Sequence, residues 1–508
     1  MRHLRTIRVS VASVVFVLAA LFFLDFTGTI PPRIIAALLA FQMGPSVISV
    51  VSSRSIALFG LLPVVATTLL MGRVYCSHLC PLGTLQDIFI WTAKKKYTHR
   101  RYRFSKPAYL IHYALTAIII AAAIGGSMVL LNLLEPFSNF GRILADIIRP
   151  IIIVLNNVIA SVLSKNQIYV LYQIPLDGLA IPIILASTIF LGGLYLLSFK
   201  YGRFFCNTLC PVGGILSILS RASFLHVTIN DEECIDCGLC ERVCRTRCID
   251  AKNRKIDFAA CVGCFDCIGS CPTDGMSYGV HWKRSARPEP VSSGRRDVLV
   301  GASAGLLSLL KATPALSAVH DEKKIPVVPP GGHSIERFTH HCTACHLCVS
   351  SCPSHVLRPS LFEFGLVGVM QPRMDYSVNY CTYDCILCGQ VCPTGAIKPL
   401  SQMEKKLIQI GKAHFTKEDC IVETKKTDCG ACSEHCPTKA VHMIPYGKLS
   451  LPEVDNQYCV GCGACEHACP TKPRKAISVE SSVIHGMAKR RQDLKPETPK
   501  PELQEFPF

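Results

Sequence analysis

The stretch CVGCFDCIGSCP, residues 261–272, places four cysteines at the spacing C-x2-C-x2-C-x3-C and ends in a proline. The same spacing occurs just upstream in CIDCGLCERVC, residues 234–244. With this spacing, three thiolates on a tight loop bind one 4Fe-4S cluster, and the fourth reaches the neighbouring cluster. We therefore expect two clusters, whose ligands are Cys234, Cys237, Cys240 and Cys271 for one and Cys261, Cys264, Cys267 and Cys244 for the other.

Two residues near Cys244 depart from this pattern. Arg245 stands where a proline is usual, and Cys248 is a further cysteine at a small-residue position. We interpret Cys248 as a buried thiol rather than a ligand.

Four more sets follow residue 340. They are Cys342, Cys345, Cys348, Cys352; Cys381, Cys385, Cys388, Cys392; Cys420, Cys429, Cys432, Cys436; and Cys459, Cys462, Cys465, Cys469. Each set ends in Cys-Pro, and two have a widened first gap. Structural zinc on C-x2-C pairs would leave the remaining cysteines and the prolines unexplained. The prediction is six 4Fe-4S clusters in all, while adjacent and nested crossing of the fourth cysteines both remain open in this second group.

The first part of the chain is apolar. The protein has 508 residues, of which 50% are hydrophobic, and its mean hydropathy is +0.34. Apolar runs at about 9–27, 55–71, 107–126 and 178–198 approach the length that crosses a bilayer, so we predict four spans. The positive-inside rule puts MRHLRTIR, the KKKYTHRRYR loop and the segment after Phe199 in the cytoplasm, which explains much of the net charge of +17 without nucleic-acid binding.

Two near-identical elements end the second and fourth predicted spans. They read GRVYCSHLCPLG, residues 72–83, and GRFFCNTLCPVG, residues 202–213. Their cysteines, Cys76, Cys80, Cys206 and Cys210, are expected to face one another across a pseudo-symmetric bundle. Four converging thiolates suit an additional metal or cluster, each pair suits dithiol–disulfide cycling, and a purely structural role is the third alternative.

The segments 28–54 and 127–177 are predicted to face outward. The second contains two short apolar stretches, 128–134 and 150–163, which favour interfacial helices. Glu135 lies there beside a proline, where it would accept protons from a quinol head group; a helix-capping Glu, or one paired with Arg142, is the alternative.

Cysteines are absent between residues 282 and 341. This stretch contains Arg295 and Arg296 before a modest apolar run, which resembles a twin-arginine export signal and could act as a fifth span, although a plain linker is the alternative. The predicted domains are a four-span membrane domain (1–222), a two-cluster ferredoxin domain (223–285), this linker (286–330), a four-cluster ferredoxin domain (331–482) and a disordered tail (483–508).

These features carry a family resemblance. Residues 1–280, with four spans, two Cys-x-x-x-Cys-Pro elements and two cluster sets, resemble the NapH-type membrane ferredoxins and their NosR and CcoG relatives. Residues 292–480 resemble the NapG/MauM-type exported ferredoxins. The resemblance implies a fusion of an α-helical membrane bundle with α+β ferredoxin-like multi-cluster domains, multi-pass in a bacterial cytoplasmic membrane, with the second ferredoxin domain periplasmic.

The resemblance also implies a function. In those families the two parts take electrons from the quinol pool to a periplasmic reductase or cytochrome, so the expected partners are quinol, such an acceptor and membrane lipid. No hydrolytic triad, phosphate-binding loop or nucleotide fingerprint is evident. The alternatives are an electron carrier fed by a cytoplasmic donor and an assembly factor that reduces a metal or cofactor of another enzyme.

Overall fold

A computed structural model describes residues 3–25, 28–51, 56–96, 102–176, 180–280 and 325–490. Three predictions fall outside these ranges: the twin-arginine-like stretch, part of the basic KKKYTHRRYR loop, and the tail after residue 490. All 29 cysteines lie inside them.

The membrane half is helical. Its helices are α1 (His3–Leu24), α2 (Pro32–Leu39), α3 (Met43–Val51), α4 (Ile56–Met71), α5 (Tyr75–His78), α6 (Pro81–Lys96), α7 (Tyr109–Ile124), α8 (Val129–Leu134), α9 (Pro136–Arg142), the π-helical segment Ile143–Ile148, α10 (Arg149–Lys165), α11 (Ile181–Tyr201), α12 (Phe204–Thr208) and α13 (Pro211–Ser220).

Three helices in the described ranges are long and apolar enough to cross a membrane, and a fourth candidate is the bent pair α2–α3, which turns by 95°. Two of the three, α1 and α11, correspond to the first and fourth predicted spans. The second and third predicted spans form the shorter helices α4 and α7, with 16 residues each. The protein therefore has three to four candidate membrane helices.

The third long helix is a finding that differs from the prediction. Instead of interfacial helices, residues Pro136–Lys165 form one continuous helix of 30 residues. Its charged residues made the pattern look interrupted, but their partners come from the C-terminal unit: Asp146 bonds to His346, and Arg149 donates to the carbonyl of Ser350. Buried charges with such partners are compatible with a long apolar helix.

The cysteine-rich units consist of short helices and two-stranded antiparallel sheets. The first unit contains β1 (Leu225–Ile229), α14 (Leu239–Val243), β2 (Ile249–Asp250), β3 (Lys255–Ile256), α15 (Asp266–Ser270) and β4 (Met276–Val280). The C-terminal unit contains α16 (Ile335–His341), α17 (Leu347–Ser350), β5 (Leu357–Pro359), β6 (Pro372–Met374), α18 (Leu387–Val391), α19 (Gln402–Lys405), β7 (Ile408–Phe415), α20 (Ile421–Thr424), α21 (Ala431–Glu434), β8 (Val441–Tyr446), β9 (Leu449–Val454), α22 (Ala464–Ala468) and β10 (Ile477–Met487). The pairs are β1–β4, β2–β3, β5–β6, β7–β10 and β8–β9.

The ordered chain continues past the predicted start of the tail at residue 483. Strand β10 extends to Met487 because Gly486 and Met487 pair with Gln409 and Ile408 of β7. Residues 483–487 of the predicted tail therefore belong to a strand.

The two cysteine-rich units contact opposite ends of α1. Near its start, Arg5 forms an ion pair of 3.2 Å with Asp266 of the first unit. Near its end, the Phe23 ring and the Cys345 carbonyl of the C-terminal unit both pack against Gly141. The rise from residue 5 to residue 23 spans about 27 Å of α-helix, so the two units contact α1 near its opposite ends.

Candidate iron–sulfur sites and the membrane site

The C-x2-C-x2-C loops share one backbone device. The residue after the second cysteine is left-handed in four of them, at Gly238, Phe265, His346 and Gly463. This turn points successive backbone N–H groups into a concavity, which is a common setting for Fe–S sites. The two sets with widened first gaps lack it, since Ile386 and Gly430 have negative φ.

The first unit brings its cysteines together as predicted. Burial and then the neighbouring Cys264, Cys261, Cys244 and Cys240 raise the pKa of the Cys267 thiol. Cys248 contacts both Cys244 and Cys261. Cys244, Cys261, Cys264 and Cys267 therefore lie together, and we call them site 2; Cys240 of the other set is nearby. The other predicted ligands, which we call site 1, are Cys234, Cys237, Cys240 and Cys271; burial raises the pKa of the Cys240 thiol, and the charges of Cys237 and Cys234 raise it further. Here Cys271 is held near Cys234 because the following Thr273 hydroxyl donates to the Glu233 carbonyl (2.7 Å).

The C-terminal unit resolves the crossing that the sequence left open. Cys352 lines one small cleft together with Cys381, Cys385 and Cys388 (site 4). Burial and then Cys342, Cys345 and Cys392 raise the pKa of the Cys348 thiol, so these four form site 3. The fourth cysteines of adjacent sets are therefore exchanged.

The last two sets repeat this exchange. Cys420, Cys429, Cys432 and Cys469 line a second small cleft (site 5). The pKa of the Cys465 thiol is raised by burial and then by Cys462, Cys459 and Cys436, which completes site 6. In the described ranges no group of three or more His, Cys, Asp or Glu side chains has the geometry of a single-ion site.

Cys248 is a buried thiol beside two ligands of site 2. It is 1% exposed, and its sulfur lies 3.5 Å from that of Cys244. It also bonds to the thiol of Cys261. This position favours hydrogen bonding to ligand sulfurs.

The membrane site is formed by Cys76, Cys80, Cys206 and Cys210. All four are buried, with at most 6% exposure. Burial raises the pKa of the Cys210 thiol well above its ordinary range, and Cys206, Cys76 and Cys80 raise it further, which places the four thiols together. The prediction that the two elements face each other agrees with this arrangement.

The two elements interlock through their arginines. Arg73 of the first donates to the carbonyl of Cys206 in the second (3.0 Å). Arg203 of the second donates to the carbonyl of Cys76 in the first (2.6 Å). Since both arginines are at most 1% exposed, the exchange fixes the two cysteine turns against each other by buried, charge-assisted hydrogen bonds.

A matched pair of glycines permits this approach. A Cβ atom on Gly83 would lie 2.3 Å from the Cys76 carbonyl oxygen, and one on Gly213 would lie 2.1 Å from that of Cys206. Any side chain at either position would force the turn open.

The charges around the elements are not symmetric. Asp87 follows the first element and pairs with three arginines: Arg8, Arg203 (2.7 Å) and Arg245 (2.8 Å). Burial alone would raise the pKa of the Asp87 carboxyl, but these guanidiniums lower it well below its usual range. The equivalent residue of the second copy is Ser217, whose hydroxyl donates to the Ala259 carbonyl (2.9 Å).

The surroundings of the membrane site fit an anionic, sulfur-rich group. Four largely buried arginines lie around the membrane site, and two carboxylates pair with three of them: the arginines are Arg8, Arg73, Arg203 and Arg245, Arg73 being the one without a carboxylate partner in the described ranges, and the carboxylates are Asp87 and Asp266. Four thiolates would supply the missing negative charge. Among the described residues around this site, three buried donors also lack partners: Nε2 of Gln86, Nε of Arg73 and Nε of Arg8. Buried donors of this kind suit a group that supplies hydrogen-bond acceptors.

The membrane site lies between site 2 and site 3. On one side, Arg73 donates to the carbonyl of Ala259, just before Cys261 (2.9 Å). On the other side, burial raises the pKa of the Tyr75 hydroxyl, and the charges of Cys80 and Glu135 raise it further. Burial raises the pKa of the Cys345 thiol of site 3, and the charge of Glu135 raises it further. Cys264 of site 2, Cys80 and Cys210 of the membrane site, and Cys345 of site 3 all belong to one continuous buried cluster, so packed side chains connect sites 2 and 3 through the membrane site.

Glu135 caps a helix, which is the alternative that the sequence left open. Its carboxylate accepts the backbone N–H of Ser138 at the start of α9. It is 0% exposed, and its Oε1 would clash with any Cβ on Gly44. Its role as a proton acceptor stays a prediction.

Family models match four stretches of the chain. One described as "4Fe-4S binding domain" matches residues 55–99 and 183–228, which contain the two elements of the membrane site. Models described as "4Fe-4S dicluster domain" match residues 341–397 and 425–472. Each dicluster match falls on one adjacent pair of sets, in agreement with the observed exchange of fourth cysteines.

Several curated proteins are similar to parts of the chain. An uncharacterized protein of Methanocaldococcus jannaschii is 35% identical over 18% of this chain and 36% of its own length. The putative electron transport protein YccM of Escherichia coli is 24% identical over 44% of this chain and 55% of its own. The methylamine utilization ferredoxin-type protein MauM of Methylobacillus flagellatus is 31% identical over 30% of this chain and 65% of its own. The chain thus spans less than two thirds of the length of each, and no solved structure matches it.

The predicted resemblance to ferredoxin-type proteins is confirmed, while the fusion of NapH-type and NapG-type parts stays a prediction. Sequence reasoning missed the roles of Arg73, Arg203 and the two matched glycines, although their identical positions in both repeats were a usable signal. Asp87 had no such signal, because the repeat has Ser217 there. The chain therefore contains 4Fe-4S binding stretches and is similar to ferredoxin-type proteins over part of its length.

Proposed function

We propose that the protein is a membrane-bound polyferredoxin that carries electrons from quinol through 4Fe-4S clusters to a soluble cytochrome or reductase on the outer face of a bacterial cytoplasmic membrane. One observation carries the proposal: the cysteine sites form a connected row, and site 3 of that row packs against helices long enough to cross the bilayer, where a membrane quinol would reach it. When bound, the clusters supply one-electron redox chemistry, and the chain supplies their ligands, spacing and surroundings.

Sites 1 to 6 each hold one cluster in this proposal, and the membrane site holds a seventh. The surplus of buried arginines and the three unpartnered donors support a cluster at the membrane site over an unloaded pair of dithiols. The family model that matches both elements is described as a 4Fe-4S binding domain, which independently supports a cluster at the membrane site.

The first unit lies in the cytoplasm and the C-terminal unit in the periplasm. Their contacts at opposite ends of α1 support this topology, and the basic start of the chain assigns the first unit to the inside. Export of the second unit would depend on the twin-arginine-like stretch, which lies outside the described residues.

A cytoplasmic electron donor is the second candidate function. The specific observation is that site 1, at the inner end of the row, lies at the surface: Cys237 is exposed, and Ile235 and Leu239 beside it are 62% and 36% exposed. A soluble ferredoxin or flavoprotein could dock there. A role in maturing another redox enzyme remains the third alternative.

Reduction by quinol tests the first candidate. Cluster-loaded protein in liposomes is mixed with a short-chain quinol, and EPR follows the clusters. The proposal expects reduction of the clusters in sites 3 to 6. If quinol leaves every cluster oxidised while dithionite reduces them, the role in quinol oxidation fails.

A further inference from the structure

A cleft of about 110 Å³ lies where the membrane helices meet the C-terminal unit. Its walls are the π-helical segment and the start of α10, the start of α11, and the chain between α17 and β5. The residues that matter here are Asp146, Arg149, Ile183, Ile184, Val349 and Ser350. Glu135 does not line it.

One end of the cleft is polar. The Asp146 carboxylate accepts from the Ser187 hydroxyl (2.9 Å), and its other oxygen lies 2.8 Å from Nδ1 of His346. The Ser350 side chain is 3% exposed, and its Oγ has no hydrogen-bond partner among the described residues. Arg149 donates to the Ser350 carbonyl. This end therefore offers a carboxylate acceptor and an unused hydroxyl to a ligand.

Part of the cleft lining is apolar, next to exposed apolar side chains of the long helices. Ile183 and Ile184 form part of its wall. Next to the wall, Ile151 and Ile181 are 59% and 73% exposed, as expected for side chains that face lipid tails. A ligand with a polar head and an apolar tail matches this lining.

The cleft also borders two cluster sites. Val349 and Ser350 lie in the chain between Cys348 of site 3 and Cys352 of site 4. The opposite wall is a π-helical turn, a conformation that is rare and frequent at functional sites. A redox-active ligand in the cleft would thus sit against the backbone that joins ligands of both clusters.

We infer that this cleft binds the quinol head group, with Asp146 accepting a hydrogen bond from one quinol hydroxyl and Ser350 Oγ donating to the other oxygen. The inference rests on the proposed function and specifies its substrate site. Oxidation breaks the two O–H bonds of the quinol and leaves the quinone. Clusters held by the cysteines of sites 3 and 4 would supply the two one-electron acceptors, while one proton goes to the Asp146 carboxylate and the other to water.

The test measures binding apart from turnover. Equilibrium binding of a short-chain quinone is measured on cluster-loaded protein in detergent, and a photoreactive azidoquinone is mapped by mass spectrometry. The variants are Ile184→Trp, which fills the cleft, and Leu185→Trp, a control on the next residue, which is 58% exposed. Ser350→Ala removes a hydroxyl that bonds to no other described group, so it spares folding.

We expect the azidoquinone to label peptides 143–153 or 345–359. Quinone binding should be at least tenfold weaker in Ile184→Trp and unchanged in Leu185→Trp. In Ser350→Ala it should be about fivefold weaker, since one such hydrogen bond is worth about 1 kcal/mol. Unchanged binding in Ile184→Trp and Ser350→Ala, with labelling elsewhere and continued reduction by quinol, would overturn the cleft but leave the proposed function. Absence of both quinone binding and quinol-dependent reduction would overturn both.

Discussion

The two Cys-x-x-x-Cys-Pro elements are alike in backbone and unlike in charge. Each sends an arginine to the cysteine carbonyl of the other, and each has a glycine at the point of closest approach. Only the first is followed by a carboxylate, Asp87, while the second has Ser217 at the equivalent position.

This difference separates two tasks. The arginine and the glycine that both elements share bring the four thiols together. The asymmetric part joins the membrane half to the first ferredoxin unit, because Asp87 pairs with Arg245 next to Cys244, and Ser217 donates to Ala259 next to Cys261. Arg245 replaces the usual proline for a physical reason: its guanidinium bridges Asp87 and Asp266, and its carbonyl accepts the N–H of Arg203 (2.9 Å).

The largest effect is expected from removing one thiol of either copy. Cys80→Ala and Cys210→Ala should each lose one cluster, about four irons per chain, because the two copies contribute equally to one site. Iron and acid-labile sulfide analysis measures the loss. Cys248→Ala is the control, since it removes a buried thiol that is not a predicted ligand. Full cluster content in both variants would return the elements to a structural role.

The next effect tests the asymmetry. Asp87→Asn leaves Arg8, Arg203 and Arg245 without their shared carboxylate, so it should cost about 3–5 kcal/mol of unfolding free energy. Ser217→Ala at the matched position should cost only about 1 kcal/mol. Thermal unfolding in detergent compares them, and equal losses would refute the asymmetry.

The pH dependence of this difference has a definite sign. Because the folded-state pKa of Asp87 is lowered, its stabilisation is fully present above the unfolded pKa of about 4 and is lost only as the pH falls toward the folded value. The gap between wild type and Asp87→Asn should therefore be the same at pH 6 and pH 8. If the difference in stability between wild type and Asp87→Asn changes between pH 6 and pH 8, the stabilisation comes from a group other than Asp87.

A smaller effect tests the symmetry. Gly83→Ala and Gly213→Ala should destabilise the protein by similar amounts, about 1–3 kcal/mol each, because both new methyl groups meet a cysteine carbonyl. Their melting temperatures should fall together. A large loss at one position only would show that the two turns are not equivalent.

The smallest effect concerns the docked ferredoxin unit. Cys248→Ala should keep the iron content but lower the midpoint potential of the site 2 cluster, because hydrogen bonds to ligand sulfurs help to set that potential. Cys248→Ser, which keeps a donor, should shift it less. EPR redox titration measures both, and iron loss in either variant would make Cys248 a ligand.

Local patterns were sufficient to predict much of the molecule. The cysteine spacing predicted sites 1 and 2 with their exchanged fourth cysteines, and the apolar runs predicted α1 and α11. These features depend on residues close in sequence, where periodicity and ligand spacing apply directly.

Contacts between segments that are distant in sequence account for the features that the sequence patterns did not predict. The helix Pro136–Lys165 looked interrupted because Asp146 and Arg149 find their partners some 200 positions away, at His346 and Ser350. Glu135 looked like a surface acid but is a buried helix cap. The pairing of the C-terminal cysteines depends on which loops pack together, which spacing alone does not determine.

The most direct test of the connected row is reduction across the membrane site. Protein is reconstituted in liposomes with the first unit outside, and a membrane-impermeant reductant is added outside. EPR then distinguishes the clusters of sites 1 and 2 from those of sites 3 to 6. The account predicts that all become reduced in wild type, and that only sites 1 and 2 do in Cys80→Ala and Cys210→Ala. Outer clusters that stay oxidised in wild type, or that are reduced equally fast in the variants, would contradict it.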